Sequence, residues 1–339
     1  MLRRSYKSDD DRQQAAYDRA IALFQESLSD DTQKALRSFD RAVCSFMRDR
    51  KRNFTHCTKV HYLTSLKKFR CFLKQRKLTI DELTKDDFRD FMDWCEKLDP
   101  EAHPKKPVGA KTLHGMMIDL KGFFKWVTTD NEWPKNPIGG VSLPDRPKLK
   151  LDHYKADEYE AIKSACEGKG LFDLRDKAIV SLFLDSGVRL SDMKKLIVGK
   201  VDLDRGIVTV EKAKGDKDYK AVIFDNSIKA LRKYLKARGM PKAHEPLWVG
   251  KRGALSSSGI SQIIKRRGAK AKLKPSDVAC HKFRRTMPIN MYAQGASQAL
   301  VQEQMGHDSP YSQIPYLKFS EGELRQALNN FDPSVFPRR

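Results

Sequence analysis

The chain lacks the features that define several protein classes. Its six cysteines, at positions 44, 57, 71, 95, 166 and 280, include no C-x-x-C pair, so neither a zinc ribbon nor a disulfide framework is predicted. No apolar run approaches the roughly 18 residues that span a bilayer. The first residues are polar and charged, unlike the apolar stretch of a secretory signal. We therefore expect an intracellular, cytoplasmic protein.

Acidic residues are scarce relative to basic ones. The 339 residues include 66 Lys and Arg against 44 Asp and Glu, which gives a net charge of +22. Between residues 229 and 285 the sequence has 17 basic and 2 acidic side chains. A solvated face normally mixes the signs, so this concentration favours a surface that follows a phosphate backbone. DNA or RNA is the expected partner, and an acidic membrane surface is the second choice.

Residues that break regular structure divide the chain. Residues 134–148 contain four prolines and two glycines, which is typical of a linker. The length suits two or three domains. We predict an N-terminal helical extension or arm over 1–50, a helical DNA-binding domain over 51–147, and a catalytic domain with a C-terminal tail over 148–339. Residues 1–50 could also be a dimerisation helix pair or the first part of the next domain.

Hydrophobic periodicity predicts a mostly helical chain. The T-K-D-D sequence at 84–87 has the pattern of a helix-start capping box, and a helix over about 109–128 carries lysines on its polar face. Further helices are expected over 156–167, 173–186, 226–238, 256–267, 284–294, 297–305 and 321–330. Two β-rich runs, 207–210 and 221–224, flank a polar turn and predict a hairpin. The predicted fold is mainly α with a small antiparallel sheet.

The last half of the chain holds the residue types that transfer a phosphodiester without a metal. Residues 281–284 read H-K-F-R, residues 306–309 read G-H-D-S, and Tyr316 follows His307 by nine positions. Upstream, residues 186–192 read S-G-V-R-L-S-D and residues 212–217 read K-A-K-G-D-K. Guanidinium groups hold phosphate oxygens in a bidentate manner, a tyrosine can act as the nucleophile, and lysine or histidine can transfer protons.

The order and spacing of these motifs resemble the tyrosine recombinase (phage integrase) family. The sequence departs from the family pattern at Ser186, where threonine is usual, and likewise at Asp192, Ala213 and Phe283. The resemblance implies six catalytic residues: Arg189, Lys214, His281, Arg284, His307 and Tyr316. Asp192 lies one turn after Arg189 and is expected to orient its guanidinium without contacting the phosphate. Lys212 or Lys217 could replace Lys214 as the active lysine, and Tyr311 competes with Tyr316, although the spacing favours Tyr316.

The resemblance implies the reaction as well. Tyr316 would attack a DNA phosphate to form a 3′-phosphotyrosine and release a 5′-hydroxyl, which then attacks the partner strand. Neither a nucleotide cofactor nor a metal is expected, because the covalent intermediate conserves the bond and Arg189 and Arg284 supply positive charge. Family members act as tetramers on double-stranded DNA recombination sites. The tail beyond Tyr316 is expected to contact a neighbouring protomer, and no membrane partner is expected.

Contacts to the DNA backbone are predicted for the lysines of the 109–128 helix and for basic residues of the 229–285 segment. These are Lys111, Lys121, Lys125, Lys251, Arg252, Lys265, Arg266, Arg267 and Arg285. Pro288 is expected to tighten the first turn of its helix. A type IB topoisomerase or a telomere resolvase would use nearly the same residues, and a non-catalytic DNA-binding protein on the same scaffold is a further alternative. The complete set of motifs favours the recombinase.

Overall fold

The computed structural model of the protein describes residues 9–26, 36–97, 107–130, 135–145, 152–211 and 218–306. The chain divides into two compact units, residues 1–148 and residues 149–339. None of the helices in the described ranges combines the length and the apolar character that crossing a membrane requires.

The first unit consists of helices. They are α1 (Asp9–Glu26), α2 (Arg37–Asp49), α3 (His56–Arg76), α4 (Lys85–Glu96) and α5 (Ala110–Asp130), with a 3₁₀ turn at Ile80–Glu82. The predicted start of α4 is confirmed, because the backbone N–H of Thr84 donates to the Asp87 carboxylate at 2.8 Å in a capping box. This contact satisfies a backbone donor that the first turn of a helix leaves unpaired.

Phenylalanine rings fill the core of the first unit. The ring of Phe69 on α3 lies 5.2 Å from Phe88, 5.0 Å from Phe91 and 5.8 Å from Phe124, measured between centroids. All four side chains are fully buried. Aromatic pairs at such distances add about 0.5–1.5 kcal/mol each beyond the burial of their area. The rings therefore hold α3, α4 and α5 together.

Helices α1 and α2 belong to the same core. Phe24 of α1 and Phe39 of α2 are fully buried with ring centroids 6.4 Å apart, and Phe39 also contacts Phe69 at 5.9 Å. The buried guanidinium of Arg70 donates to both carboxylate oxygens of Asp40, at 2.8 and 3.0 Å. Of the three roles considered for residues 1–50, this packing fits the first part of the domain. The buried residues of α1 and α2 belong to the core of the first unit.

The second unit is mainly helical with a small sheet, as predicted. Its elements are α6 (Ala156–Ser164), α7 (Leu171–Ser186), α8 (Leu190–Met193), β1 (Val201–Asp202), β2 (Ile207–Val210), β3 (Tyr219–Val222), α9 (Asp225–Ala237), β4 (Val249–Gly250), β5 (Gly253–Ala254), α10 (Ser257–Lys270), α11 (Cys280–Ala293) and α12 (Gln298–Met305). The helix predicted over 321–330 lies outside the described residues.

The predicted hairpin is confirmed, with a shift in its second strand. Strands β1, β2 and β3 form an antiparallel sheet in that order, and Val210 pairs with Tyr219 at the end that faces the turn. Strand β3 begins two residues before the predicted run, so Tyr219 lies within the sheet. Strand β1 was not predicted, because two residues carry too little periodicity to be recognised.

Helix α7 is the centre of the second unit. Nearly every residue from Arg175 to Phe183 is buried, which is typical of a helix surrounded by other elements. It packs against α6, α9, α10 and α11. The helix ends at Gly187, which has a left-handed φ of +58°, a conformation that glycine adopts at little cost. The buried hydroxyl of Ser186 donates to the Leu182 carbonyl and accepts from the Val188 N–H at 3.3 Å, so this turn is held from inside.

Candidate active site

Arg284 connects three of the sequence motifs. This residue of α11 is 3% exposed. Its guanidinium donates to the backbone carbonyl of Gly187 and, at 3.2 Å, to that of Met305. Gly187 lies two residues before Arg189, and Met305 lies two residues before His307. A guanidinium carries five donors in a rigid plane, so these two bonds fix its orientation between the two turns.

Arg189, the second arginine of the predicted site, is exposed, in contrast to the buried Arg284. It lies at the start of α8 with extended backbone angles, and its side chain is exposed. Asp192, which we expected to orient Arg189, accepts instead from the hydroxyl of Ser191 at 3.2 Å. No ion pair within the described ranges joins Asp192 to Arg189, so an orienting role of this carboxylate stays a prediction.

His281 lies one helical turn before Arg284 and is exposed. The first turn of α11 is held by Tyr154, whose hydroxyl accepts from the N–H of Ala279 at 3.0 Å and donates to its carbonyl at 3.2 Å. The N–H of Tyr154 in turn donates to the hydroxyl of Thr286 at 2.8 Å. The sequence did not reveal this role of Tyr154, because the contact joins segments about 125 residues apart.

Tyr219 is a site residue that the sequence motifs did not indicate. It is 7% exposed, and its ring lies against Gly306, where an added Cβ would overlap the ring carbons. Burial raises the pKa of the phenol, and so does the negative charge of Asp192. The positive charges of Arg284 and Arg189 lower it. The net pKa is above its ordinary value, so the phenol stays protonated beside two arginines. The alternation of apolar residues at Tyr219, Ala221 and Ile223 is the sequence signal that could have identified it.

Gln304 of α12 is a second residue that the motifs did not indicate. Its amide nitrogen donates to the carbonyl of Val222 at 2.8 Å and to that of Asp185 at 2.9 Å. Its amide oxygen accepts from the N–H of Val222 at 2.9 Å. Gln304 shares the buried face of α12 with Val301 and Met305. In the sequence, a polar residue at a position of the helix where an apolar one is expected was the signal that could have identified it.

Three of the six predicted catalytic residues lie outside the described residues. They are Lys214, His307 and Tyr316, together with the alternatives Lys212, Lys217 and Tyr311. Lys214 falls in the loop between β2 and β3, and His307 directly follows Gly306. In the described residues, Arg189 and Arg284 lie near β3 and α12, the strand and the helix that adjoin these segments.

The predicted DNA contacts differ in exposure. On α5, Lys111 and Lys125 are exposed and Lys121 is half-buried. In the second unit the exposed side chains are Lys251 and Arg252, in the turn between β4 and β5, and Lys265 and Arg266 of α10, whereas Arg285 is half-buried. The exposed positions are open to contact with a phosphate backbone.

Arg267 is a correction to the predicted DNA contacts. Its side chain is buried, and its guanidinium donates to Asp176 at 2.8 Å, to Asp173 at 2.7 Å and to the carbonyl of Ala165 at 3.0 Å. These bonds tie α10 to α7 and to the end of α6. Because the positive charge of Arg267 is paired with the two carboxylates Asp173 and Asp176, this guanidinium serves the fold rather than a phosphate contact.

Pro288 is a second correction. It lies in the interior of α11, eight residues after the helix begins at Cys280, and it is buried. A proline at this position removes the N–H that would donate to the carbonyl of Arg284. It does not tighten the first turn, because the helix begins earlier than the sequence indicated.

Alanine at Gly306 is expected to destabilise the second unit more than alanine at Gly295. Both glycines have left-handed φ angles, +56° and +84°, so each substitution incurs about 1–2 kcal/mol of backbone strain. Only at Gly306 would the new methyl overlap the ring of Tyr219, since among the described residues nothing lies within 4 Å of the Cβ position at Gly295. Equilibrium unfolding should show an additional loss of about 1–3 kcal/mol for Gly306→Ala. Equal losses would mean that Tyr219 is not packed on Gly306.

Comparison with known proteins supports the predicted family. The chain matches the phage integrase family over residues 153–321 and the phage integrase SAM-like domain over residues 38–138. The tyrosine recombinase XerC of Lactobacillus delbrueckii subsp. bulgaricus is 32% identical over 209 residues, which cover 59% of this chain and 70% of that protein. The XerC of Syntrophus aciditrophicus is 23% identical over 309 residues, covering 88% and 97%.

A solved structure has the same fold. The XerH site-specific recombinase, bound to a palindromic difH substrate, superposes with a TM-score of 0.67 at 19% sequence identity and covers 96% of this chain and 98% of that one. The family match and the similarity to XerC define the class as a tyrosine recombinase. The chain belongs to the phage integrase family, and the predicted enzyme class, a tyrosine site-specific recombinase, is confirmed.

Proposed function

We propose that the second unit cleaves and rejoins DNA through a covalent bond to Tyr316, with the scissile phosphate held by Arg189 and Arg284. The observation that carries this proposal is the pair of hydrogen bonds from the buried Arg284 to the turns that precede Arg189 and His307. These bonds hold Arg284 against both turns before any DNA is bound. A preorganised arrangement of this kind stabilises developing charge without reorganisation during the reaction.

In the proposed step, the phenol oxygen of Tyr316 forms a bond to phosphorus and the bond from phosphorus to the 5′-oxygen breaks. Lys214 gives the leaving 5′-oxygen a proton, while His281 and His307 hydrogen-bond the phosphate and one of these two imidazoles accepts the single proton of the phenol. The product is a 3′-phosphotyrosine. The 5′-hydroxyl of a second strand reverses the same chemistry on a new partner, so the bond is conserved and ATP is not required.

We propose that both units hold the duplex. Support comes from the exposed Lys111 and Lys125 of the first unit and from the exposed Lys251, Arg252 and Lys265 of the second. The recombinase XerH, which has the same fold, is described in its solved structure as bound to a DNA substrate. Lysine and arginine contacts to phosphates release counterions and supply affinity independent of sequence. Integration, excision, dimer resolution or movement of a genetic element would all use this binding mode.

We further propose that protomers assemble as a tetramer on DNA through their C-terminal tails. An apolar groove of about 430 Å³ lies between β3, α11 and α12. Its rim includes Phe224 and Leu300, which are 61% and 56% exposed. The tail of a neighbouring protomer suits this groove, because residues 317–339 contain Leu317, Phe319, Leu324, Leu328, Phe331 and Phe336. Covering the groove would bury apolar area that is otherwise in water.

Covalent capture of DNA tests the proposed chemistry. We expect the protein to form an adduct with a nicked duplex that carries its recombination site, in the presence of EDTA and without ATP. The nick lets the short 5′-hydroxyl strand diffuse away, so the phosphotyrosine accumulates and migrates as a larger species on a denaturing gel. An adduct that disappears on chelation and returns with Mg²⁺ would show that a metal performs the role assigned to the two arginines.

A further inference from the structure

The outer edge of β3 is paired by a side chain. In the described sheet β3 is an edge strand, and an edge strand presents unpaired backbone groups. The amide of Gln304 donates to the carbonyl of Val222 at 2.8 Å and accepts from its N–H at 2.9 Å, as a neighbouring strand would. The same amide nitrogen donates to the carbonyl of Asp185 near the end of α7 at 2.9 Å. Gln304 is 7% exposed, so these bonds are shielded from water.

A second contact fastens the other end of the same strand. Tyr219 begins β3, and its buried ring lies against Gly306 so closely that a Cβ there would overlap it. Val222 ends the strand, where Gln304 holds it. Both ends of β3 are therefore attached to the last residues of α12 and to the glycine that follows them.

These two elements lead directly into the two halves of the proposed chemistry. The loop that carries Lys214 enters β3 at Tyr219, and the segment that carries His307 and Tyr316 leaves α12 at Gly306. We propose that Gln304 and Tyr219 are positioning residues, which fix the lysine loop relative to the nucleophile segment. The inference rests on the proposed roles of Lys214 and Tyr316, and it assigns to Gln304 a function in proton delivery to the leaving group.

A polar side chain suits this task better than an apolar one. A leucine at position 304 would fill similar space, but it would leave the carbonyls of Val222 and Asp185 and the N–H of Val222 without this partner. Hydrogen bonds fix one register between α12 and β3, whereas apolar contacts tolerate sliding. Loss of Gln304 is therefore expected to loosen the position of the loop more than it loosens the fold.

The test compares two substrates that differ in one atom. A duplex with sulfur in place of the scissile 5′-bridging oxygen has a thiolate as its leaving group, which departs without a proton because a thiol has a pKa of about 8.5. Defects in proton delivery are rescued by this substrate, and defects in phosphate binding or folding are not. Single-turnover cleavage of both substrates is measured for the wild-type protein, Lys214→Ala, Gln304→Leu and Gln298→Leu, an exposed control on the same helix.

We expect Lys214→Ala to lose roughly 10²–10⁴-fold on the oxygen substrate, the usual contribution of a general acid, and to approach the wild-type rate on the sulfur substrate. Gln304→Leu should lose about tenfold on oxygen, a part of that contribution, and should also recover on sulfur. Gln298→Leu should cleave both at the wild-type rate. Gln304→Glu, which keeps the acceptor and loses both donors, gives the same comparison if the leucine variant does not fold, as judged by its melting temperature.

The outcomes separate the inference from the function on which it rests. If sulfur does not rescue Lys214→Ala, the proposed role of that lysine fails. If sulfur rescues Lys214→Ala while both Gln304 variants remain equally slow on the two substrates, Gln304 only stabilises the fold and the inference is overturned. Wild-type rates for both Gln304 variants on the oxygen substrate would overturn it as well.

Discussion

Phenylalanine at position 316 is expected to abolish covalent attachment to DNA while leaving DNA binding nearly unchanged. The substitution removes only the phenolic oxygen, which is the atom that would bond to phosphorus, and it retains the ring. No other group in the proposed site has the role of nucleophile, so we expect Tyr316→Phe to form no detectable covalent adduct. The measurement is adduct formation on the nicked duplex, together with a gel-shift titration of the same DNA.

Tyr311 supplies the control for this experiment. It lies four residues after His307 in the same segment, and Tyr311→Phe should form the adduct at close to the wild-type rate. Because both variants lose one hydroxyl, a difference between them reports the identity of the nucleophile. An adduct formed by Tyr316→Phe and absent from Tyr311→Phe would reverse the assignment.

The two arginines are expected to differ in their effects on stability and to be similar in their effects on cleavage. Alanine at either position removes a donor for charge that develops on the phosphate, a loss of about 3–4 kcal/mol in the barrier. Only Arg284→Ala should also lower the free energy of unfolding, because it leaves the buried carbonyls of Gly187 and Met305 without a donor, at about 1–3 kcal/mol for each. Arg189 is exposed, and its removal should change stability by less than about 0.5 kcal/mol.

Single-turnover cleavage and denaturant unfolding of the same preparations check this expectation. Lysine at either position should restore little activity, because an ammonium is a point charge and cannot reproduce the planar fork. A lysine variant that cleaves at close to the wild-type rate would place that arginine away from the phosphate. Equal unfolding free energies for Arg284→Ala and the wild-type protein would contradict the bridging role of the guanidinium.

Local signals in the sequence predicted the parts of the fold that local interactions determine. The T-K-D-D pattern predicted the start of α4, since the capping contact spans only three residues. The β-rich runs around a polar turn predicted the hairpin between β2 and β3. The family motifs predicted one site for Arg189 and Arg284, and in the structure Arg284 donates to the carbonyl of Gly187, two residues before Arg189. Their catalytic roles stay a prediction.

Contacts between distant segments were not predictable in the same way. Arg267 was expected on the DNA surface because the segment is basic, but its partners Asp173 and Asp176 lie more than 90 residues away. Gln304 pairs with a strand 82 residues before it, and no local pattern identifies such a partner. Charge and polarity can be read from the sequence, whereas the choice between an exposed and a buried position depends on tertiary packing.

The bonds of Arg284 also make the two arginines electrostatically unequal. Helices α7 and α12 both end at a left-handed glycine, and the carbonyls that Arg284 contacts belong to these ends. A helix carries about half a negative charge at its C-terminus, so two such termini converge on one guanidinium and compensate much of its charge in the absence of DNA. Arg189 lies beyond the end of α7 and is exposed to solvent. We therefore expect Arg284 to contribute less than Arg189 to the long-range attraction of the duplex toward the site.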